Sequence, residues 1–222
     1  MPRIELVVFD MAGTTVEDRI DGVPLVLKSY DDAFRNHGVL VPYSVLNEQR
    51  GRDKWTVIEE FGGANAPEIY EDFLGILRDN IGRVREIDGA SEAFGFLRRR
   101  GIKVAVGTGF PSEVAQGIVE RLSWLDSELI DLWVCSEMVG ASRPDPAMIL
   151  EAMRRLGVRE AGSVMKVDDT VKGIEEGLRA GAVAIGVLTG TQDERMLRAA
   201  GPADVIGSVR ELPDYMLEKG YV

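Results

Sequence analysis

Asp10 closes the apolar run Leu6-Val7-Val8-Phe9, and Gly13 follows shortly after it. An apolar run rich in β-branched residues, stopped by a carboxylate and a glycine, predicts a central parallel strand with its carboxyl end marked. Ligands of open α/β sheets bind outside the carboxyl ends of the strands. Asp10 therefore belongs on the floor of a site, and a turn at Gly13 lets backbone amides face whatever Asp10 touches. Three later strand ends or connections bring further polar groups: Thr108 between Gly107 and Gly109, Arg143 before Pro144, and the pair Asp168-Asp169. Together these residue types fit a phosphoryl transfer. A carboxylate can attack phosphorus, a hydroxyl and turn amides can hold the phosphoryl oxygens, and a fixed cation can offset developing charge. Further carboxylates can hold Mg²⁺. Each residue alone has a plainer use: Asp10 as a cap, Thr108 as a turn, Arg143 as a surface charge. Their recurrence at successive strand ends favours a site.

The elements that must position them alternate. Strands are expected at 103–107, 132–136, 163–167 and 184–188, with a weaker one at 204–206. Helices are expected at 90–100, 112–122, 146–156 and 171–180. Strands alternating with helices predict a parallel sheet covered on both faces. Residues 16–85 differ. Helical spacing recurs at 24–36, 45–51, 54–61 and 67–84, with no strand longer than three residues, so a helical insert follows the first strand. The apolar stripe from Ile69 to Ile81 suits the insert's own core, or else a homodimer contact through it.

The chain has 222 residues, 45% of them hydrophobic, and a net charge of −11 without any basic run. That length supports one large domain or a core plus a smaller insert. The charge argues against nucleic acid and anionic membrane surfaces as partners. It also raises the value of each cation near a strand end. Cys135 is the only cysteine, so no intramolecular disulfide forms, and a buried thiol is expected. His37 is the only histidine and precedes Gly38 in a helix-end pattern, which sets aside a Ser-His-Asp triad or a His-rich metal site. No stretch approaches the roughly 18 apolar residues of a membrane span. The opening lacks a signal pattern. A soluble, cytoplasmic protein is the expectation.

The run Asp10-Met11-Ala12-Gly13-Thr14 resembles the D-x-D-G-T opening of the haloacid dehalogenase superfamily. Alanine at the third place, and arginine rather than lysine at 143, resemble its phosphonatase branch. The resemblance covers essentially the whole chain. It implies an α/β fold, a Rossmann-like doubly wound parallel sheet with an inserted α-helical cap. The core would be 1–15 and 86–222, and the cap 16–85. It implies Asp10 as nucleophile, with Thr108, Gly109, Gly13 and Arg143 around the phosphoryl group. Asp10, Ala12, Asp169 and Asp168 would surround Mg²⁺. It also implies a cap lysine that forms a Schiff base with an aldehyde substrate, and Lys54 stands at the matching place.

This chain departs from the branch at several positions. The branch has Gly-Asp-Thr with a second Asp three residues after the Thr, whereas here Asp168 replaces the glycine and Gly173 the second Asp. Both Asp168 and Asp169 therefore stand as metal-ligand candidates. Lys172 is near enough to help balance charge, although a solvated helix lysine is the commoner case. In the cap, Val57 replaces a histidine and Arg50 a methionine. Arg50 and Arg52 would oppose protonation of Lys54 by like charge, or bind an anionic part of another substrate. Family phosphatases protonate the departing oxygen with an aspartate where this chain has Ala12. The leading expectation is a Mg²⁺-dependent hydrolase of a small organophosphonate or related phosphorylated metabolite. The alternative is a phosphomonoester phosphatase. A dehalogenase would leave the paired acids without a metal to serve, and a binding protein that merely keeps the fold would not need Asp10, Arg143 and both acids.

Overall fold

The computed structural model describes residues 3–17, 19–20 and 22–222; residues 1–2 of the expected core and 18 and 21 of the expected cap lie outside the described residues. The chain opens with β1 (Leu6–Phe9) and the short strands β2 (Val16–Glu17), β3 (Arg19–Ile20) and β4 (Val23–Pro24). Four helices follow: α1 (Leu25–Asn36), α2 (Tyr43–Glu48), α3 (Lys54–Gly62) and α4 (Ala66–Ile81). β5 (Arg85–Glu86) pairs antiparallel with β2 and brings the chain back. Then come α5 (Ala90–Arg98), β6 (Lys103–Thr108), α6 (Ser112–Arg121), β7 (Leu132–Cys135), α7 (Ser136–Val139) and α8 (Ala147–Leu156). β8 (Val164–Asp168), α9 (Val171–Ala180), β9 (Val183–Val187), α10 (Glu194–Ala199), β10 (Asp204–Ile206) and α11 (Leu212–Glu218) complete it.

The main sheet is six-stranded and parallel, in the order β10-β9-β8-β1-β6-β7. β1 lies between β6 and β8 and is buried throughout, which is why its sequence is continuously apolar rather than alternating. Val7 and Phe9 pack on the side of α5, where Phe9 meets Phe94 edge to face at 5.1 Å. Leu6 and Val8 pack on the opposite side with Ile149 and Met153 of α8. Strand order reverses at β1, so the crevice at its carboxyl end is where a ligand site should open.

The helical insert closes over that crevice. α1 and α4 pack through Tyr30 and Phe73, stacked at 4.7 Å, with Phe34, Ile69 and Leu77 buried beside them. Most of the Ile69–Ile81 stripe is thus spent on the insert's own core. Truncating one such ring, Phe73→Ala, would cost about 3–5 kcal/mol. α7, α10 and α11 are not among the helices expected from the sequence; each is at most seven residues long and offers little periodicity to read. His37 is the C-cap residue of α1 and its Nε2 lies 2.9 Å from Asp72 Oδ2, a structural role. Cys135 is a buried, free thiol at the end of β7.

Candidate active site

Adjacent strand ends deliver Asp10, Thr108 and Asp168, and the loop after α7 delivers Arg143. All four are buried. Arg143 is the hub. Its Nη1 donates to Asp10 Oδ1 at 2.6 Å, its Nε to Glu176 at 2.8 Å and its Nη2 to the carbonyl of Gly107 at 2.7 Å. Three anchors in three directions fix the plane of the guanidinium, a use a lysine could not match. Burial works against its charge, but Glu176, Asp10 and Asp168 hold it firmly protonated. Asp10 is pushed up by burial, pulled down by Arg143 and pushed up again by Asp168.

The paired acids both turn inward. Asp168 Oδ1 accepts from the amide and hydroxyl of Thr170 at 2.9 and 2.7 Å. Its Oδ2 lies 3.0 Å from Lys166 and 3.7 Å from Arg143. Burial would raise its carboxyl, yet Lys166 and Arg143 bring it below the ordinary value. Asp169 Oδ1 accepts from the Thr14 hydroxyl at 2.9 Å, while its Oδ2 accepts no hydrogen bond among the described residues. Burial pushes Asp169 up to about 8, against the pull of Arg50. Asp10, Asp168 and Asp169 each offer an oxygen within 4.8 Å of the others. Three buried carboxylates this close, with Asp168 Oδ2 and Asp169 Oδ2 held among the described residues only by ion pairs, could hold a divalent cation with oxygen ligands.

Glycines allow this crowding. At Gly13 φ is +91°, and a Cβ there would stand 2.5 Å from Asp169 Oδ2. A Cβ at Gly173 would overlap the Asp168 carboxylate. The Gly13 amide itself donates to the carbonyl of Val16 at 2.9 Å, as the turn after Asp10 closes on itself. Gly13 serves the site through its shape. Gly109 likewise makes room, since a Cβ there would stand 2.5 Å from the Arg52 carbonyl of the insert.

That loop of the insert carries Lys54 and Arg50. Asp53 caps α3 and accepts from Ser136 at 2.8 Å, while its amide donates to Ser142 at 2.8 Å, which seats the loop on the core. Lys54 Nζ donates to the Arg52 carbonyl at 2.9 Å and sits over the Phe110 ring. Burial brings its amine down to about 8, against the pull of Asp10 and Asp53; Arg143 and Arg50 lower it further. The Arg52 guanidinium turns instead to Glu60 at 2.9 Å. Lys172 pairs with Glu175 at 3.1 Å, as a solvated helix lysine does.

Asp10, Ala12, Arg50, Lys54, Thr108 and Arg143 line one cavity between insert and core. It offers about 20 Å³ to the centre of a water, room for about one water molecule. Sequence reasoning missed Lys166 and Glu176. Lys166 had a signal, a lone cation within the apolar strand Val164-Met165-Lys166-Val167. Glu176 had none, since its neighbour Glu175 is partly exposed and looks the same in sequence. With them the buried charges balance: Asp10, Asp168, Asp169 and Glu176 face Arg50, Lys54, Arg143 and Lys166.

Residues 4–181 match the haloacid dehalogenase-like hydrolase family. Phosphonoacetaldehyde hydrolase of Bordetella pertussis (strain Tohama I) is 35% identical over 205 residues, covering 84% of this chain and 73% of that protein. The enzyme of the same name from Bacillus cereus (strain B4264) is 32% identical over 212 residues, covering 86% and 78%. Among solved structures, a phosphonoacetaldehyde hydrolase-like protein from Oleispira antarctica superposes with a TM-score of 0.82 at 25% identity, covering 97% of this chain and 92% of that one. A hydrolase from Pseudomonas syringae gives 0.83 at 20% identity over 96% and 97%, a likeness of fold. The chain belongs to the haloacid dehalogenase-like hydrolases, and within them to the phosphonatase-like enzymes.

Proposed function

We propose that this enzyme cleaves the carbon–phosphorus bond of a small phosphonoaldehyde such as phosphonoacetaldehyde, with residues 16–85 acting as a cap over 1–15 and 86–222. One observation carries the reading. Lys54 reaches from the insert into the cavity of Asp10 with its amine brought down to about 8, and the residue beside them is Ala12, which cannot act as an acid. A reaction that must protonate an oxygen leaving group is handicapped there. A carbon leaving group activated through an imine is not.

Neutral Lys54 Nζ attacks the aldehyde and water is lost, giving an imine that takes up a proton. Asp10 then attacks phosphorus as the carbon–phosphorus bond breaks, and the bonding electrons flow into the iminium to give an enamine. The phosphoryl group is carried on Asp10, and Arg143 and Thr108 hold its oxygens. Water releases phosphate from Asp10. Protonation and hydrolysis of the enamine release acetaldehyde and free Lys54.

The acid cluster fits Mg²⁺, because Asp169 Oδ2 is buried and accepts no hydrogen bond among the described residues, and three buried carboxylates this close favour a cation beside them. Asp10, Asp169 and the Ala12 carbonyl would hold the ion, with Asp168 beside them. Bound there, it would offset the repulsion between the Asp10 carboxylate and the phosphoryl oxygens.

The test is phosphate release from phosphonoacetaldehyde and from small phosphomonoesters, with Mg²⁺ and with excess chelator. The expected result is Mg²⁺-dependent turnover of the phosphonate, abolished in Asp10→Asn. Faster turnover of a phosphomonoester would replace the reading with a phosphatase.

A further inference from the structure

Arg50 reaches from the insert into the acid cluster. It is 3% exposed, one Nη2 donating to the carbonyl of Ala12 at 3.1 Å and lying 3.9 Å from Asp169 Oδ2. Ala12 and Asp169 belong to the set proposed above to hold Mg²⁺, so the guanidinium approaches the metal's own donors from the cap side. A carbonyl oxygen already accepting from a guanidinium is a poorer ligand for a second cation. Two cations a few Å apart also repel strongly where little water screens them.

Resting on the Mg²⁺ reading, we infer that Arg50 is a tethered counter-ion that competes with Mg²⁺ for the Ala12 carbonyl and Asp169. From the cap side Arg50 faces the Asp169 carboxylate. When the metal enters, Arg50 must retreat, and the loop it belongs to loosens its hold on the core. Binding free energies are reciprocal: whatever factor Arg50 takes from Mg²⁺ affinity, Mg²⁺ takes from the Arg50 contact. The rest of the loop stays anchored by Asp53 on Ser136 and Ser142. Metal occupancy and the seating of residues 50–52 are thereby linked.

Mg²⁺ binding to the full chain, measured by titration calorimetry without substrate, tests this. Arg50→Met removes the charge and keeps an unbranched side chain; Arg50→Lys keeps the charge. The Met variant should bind Mg²⁺ roughly tenfold tighter, the scale for one unit charge withdrawn from nearby. The Lys variant should stay close to wild type. Hydrogen exchange on the wild-type chain gives a readout that needs no variant: Mg²⁺ should speed exchange of the amides of Arg50 and Arg52. Equal or weaker binding by the Met variant, a Lys variant as tight as the Met variant, or unchanged exchange at 50–52 would overturn the competition and leave the metal site standing. Failure of all three proteins to bind Mg²⁺ would overturn both.

Discussion

The carboxylate of Asp168 occupies the space that a side chain at Gly173 would fill. Asp168 ends β8 and Gly173 lies in the first turn of α9, and Thr170 between them bonds the carboxylate through its amide and hydroxyl. The two departures from the phosphonatase pattern, an acid gained at 168 and one lost at 173, are therefore one structural exchange. The acid comes from the strand end, and glycine on the helix leaves room for it.

A methyl group at 173 must displace Asp168 from Lys166 and Arg143. Gly173→Ala should destabilise the chain by about 1–3 kcal/mol, the usual cost of forcing extra volume into a packed interior. Asp168→Gly should also destabilise, because it leaves Lys166 short of a buried partner. Combined, the two losses should be clearly less than additive, since the second change removes the clash that the first creates. Urea denaturation of the four proteins measures this. Strict additivity would mean that the residues do not share the space.

The sheet was legible in the sequence because each buried parallel strand carries its own signature, a short apolar run with a polar end. Asp10, Thr108 and the Asp168-Asp169 pair were legible for the same reason. Arg143 was legible only by resemblance, since nothing local separates it from a surface arginine before a proline. The Lys166–Glu176 pair was not assembled, because Glu176 meets Arg143 only once α9 packs beside β8. The direction of Arg52 was also out of reach. Its neighbours Arg50 and Lys54 are drawn into the cavity while Arg52 turns to Glu60, a choice set by how α3 docks.

Asp169 makes the metal-free chain pH-sensitive. Its carboxyl is raised to about 8 in the fold, against about 3.9 in an unfolded chain. The folded state therefore binds the extra proton between those values, and stability falls as pH rises through that window. Thermal unfolding in chelator should show the melting temperature dropping from pH 5 to pH 8. Asp169→Asn should flatten the drop, because an amide of the same shape does not ionise. Added Mg²⁺ should restore wild-type stability more at pH 8 than at pH 5, since the ion binds the ionised acid. A melting temperature that climbs over this range in chelator would contradict the burial cost assigned to Asp169.

Lys54 separates the two hydrolase chemistries through pH and through a covalent trap. Its amine is brought down to about 8 by burial, so roughly a tenth is neutral one pH unit lower. Only the neutral amine attacks an aldehyde. Cleavage of phosphonoacetaldehyde at limiting substrate should therefore rise with pH towards about 8 and then level. Borohydride added with substrate should reduce the imine and leave a stable adduct on Lys54, readable by peptide mass. Lys54→Arg should abolish cleavage, since guanidinium stays protonated and cannot condense. An anion-binding role would give a different pattern: no adduct, no rising limb, and substantial activity retained by the charge-preserving Arg variant. That pattern would remove the imine from the mechanism. The Asp10 chemistry would survive, because it depends on β1, Arg143 and the acid cluster rather than on the insert.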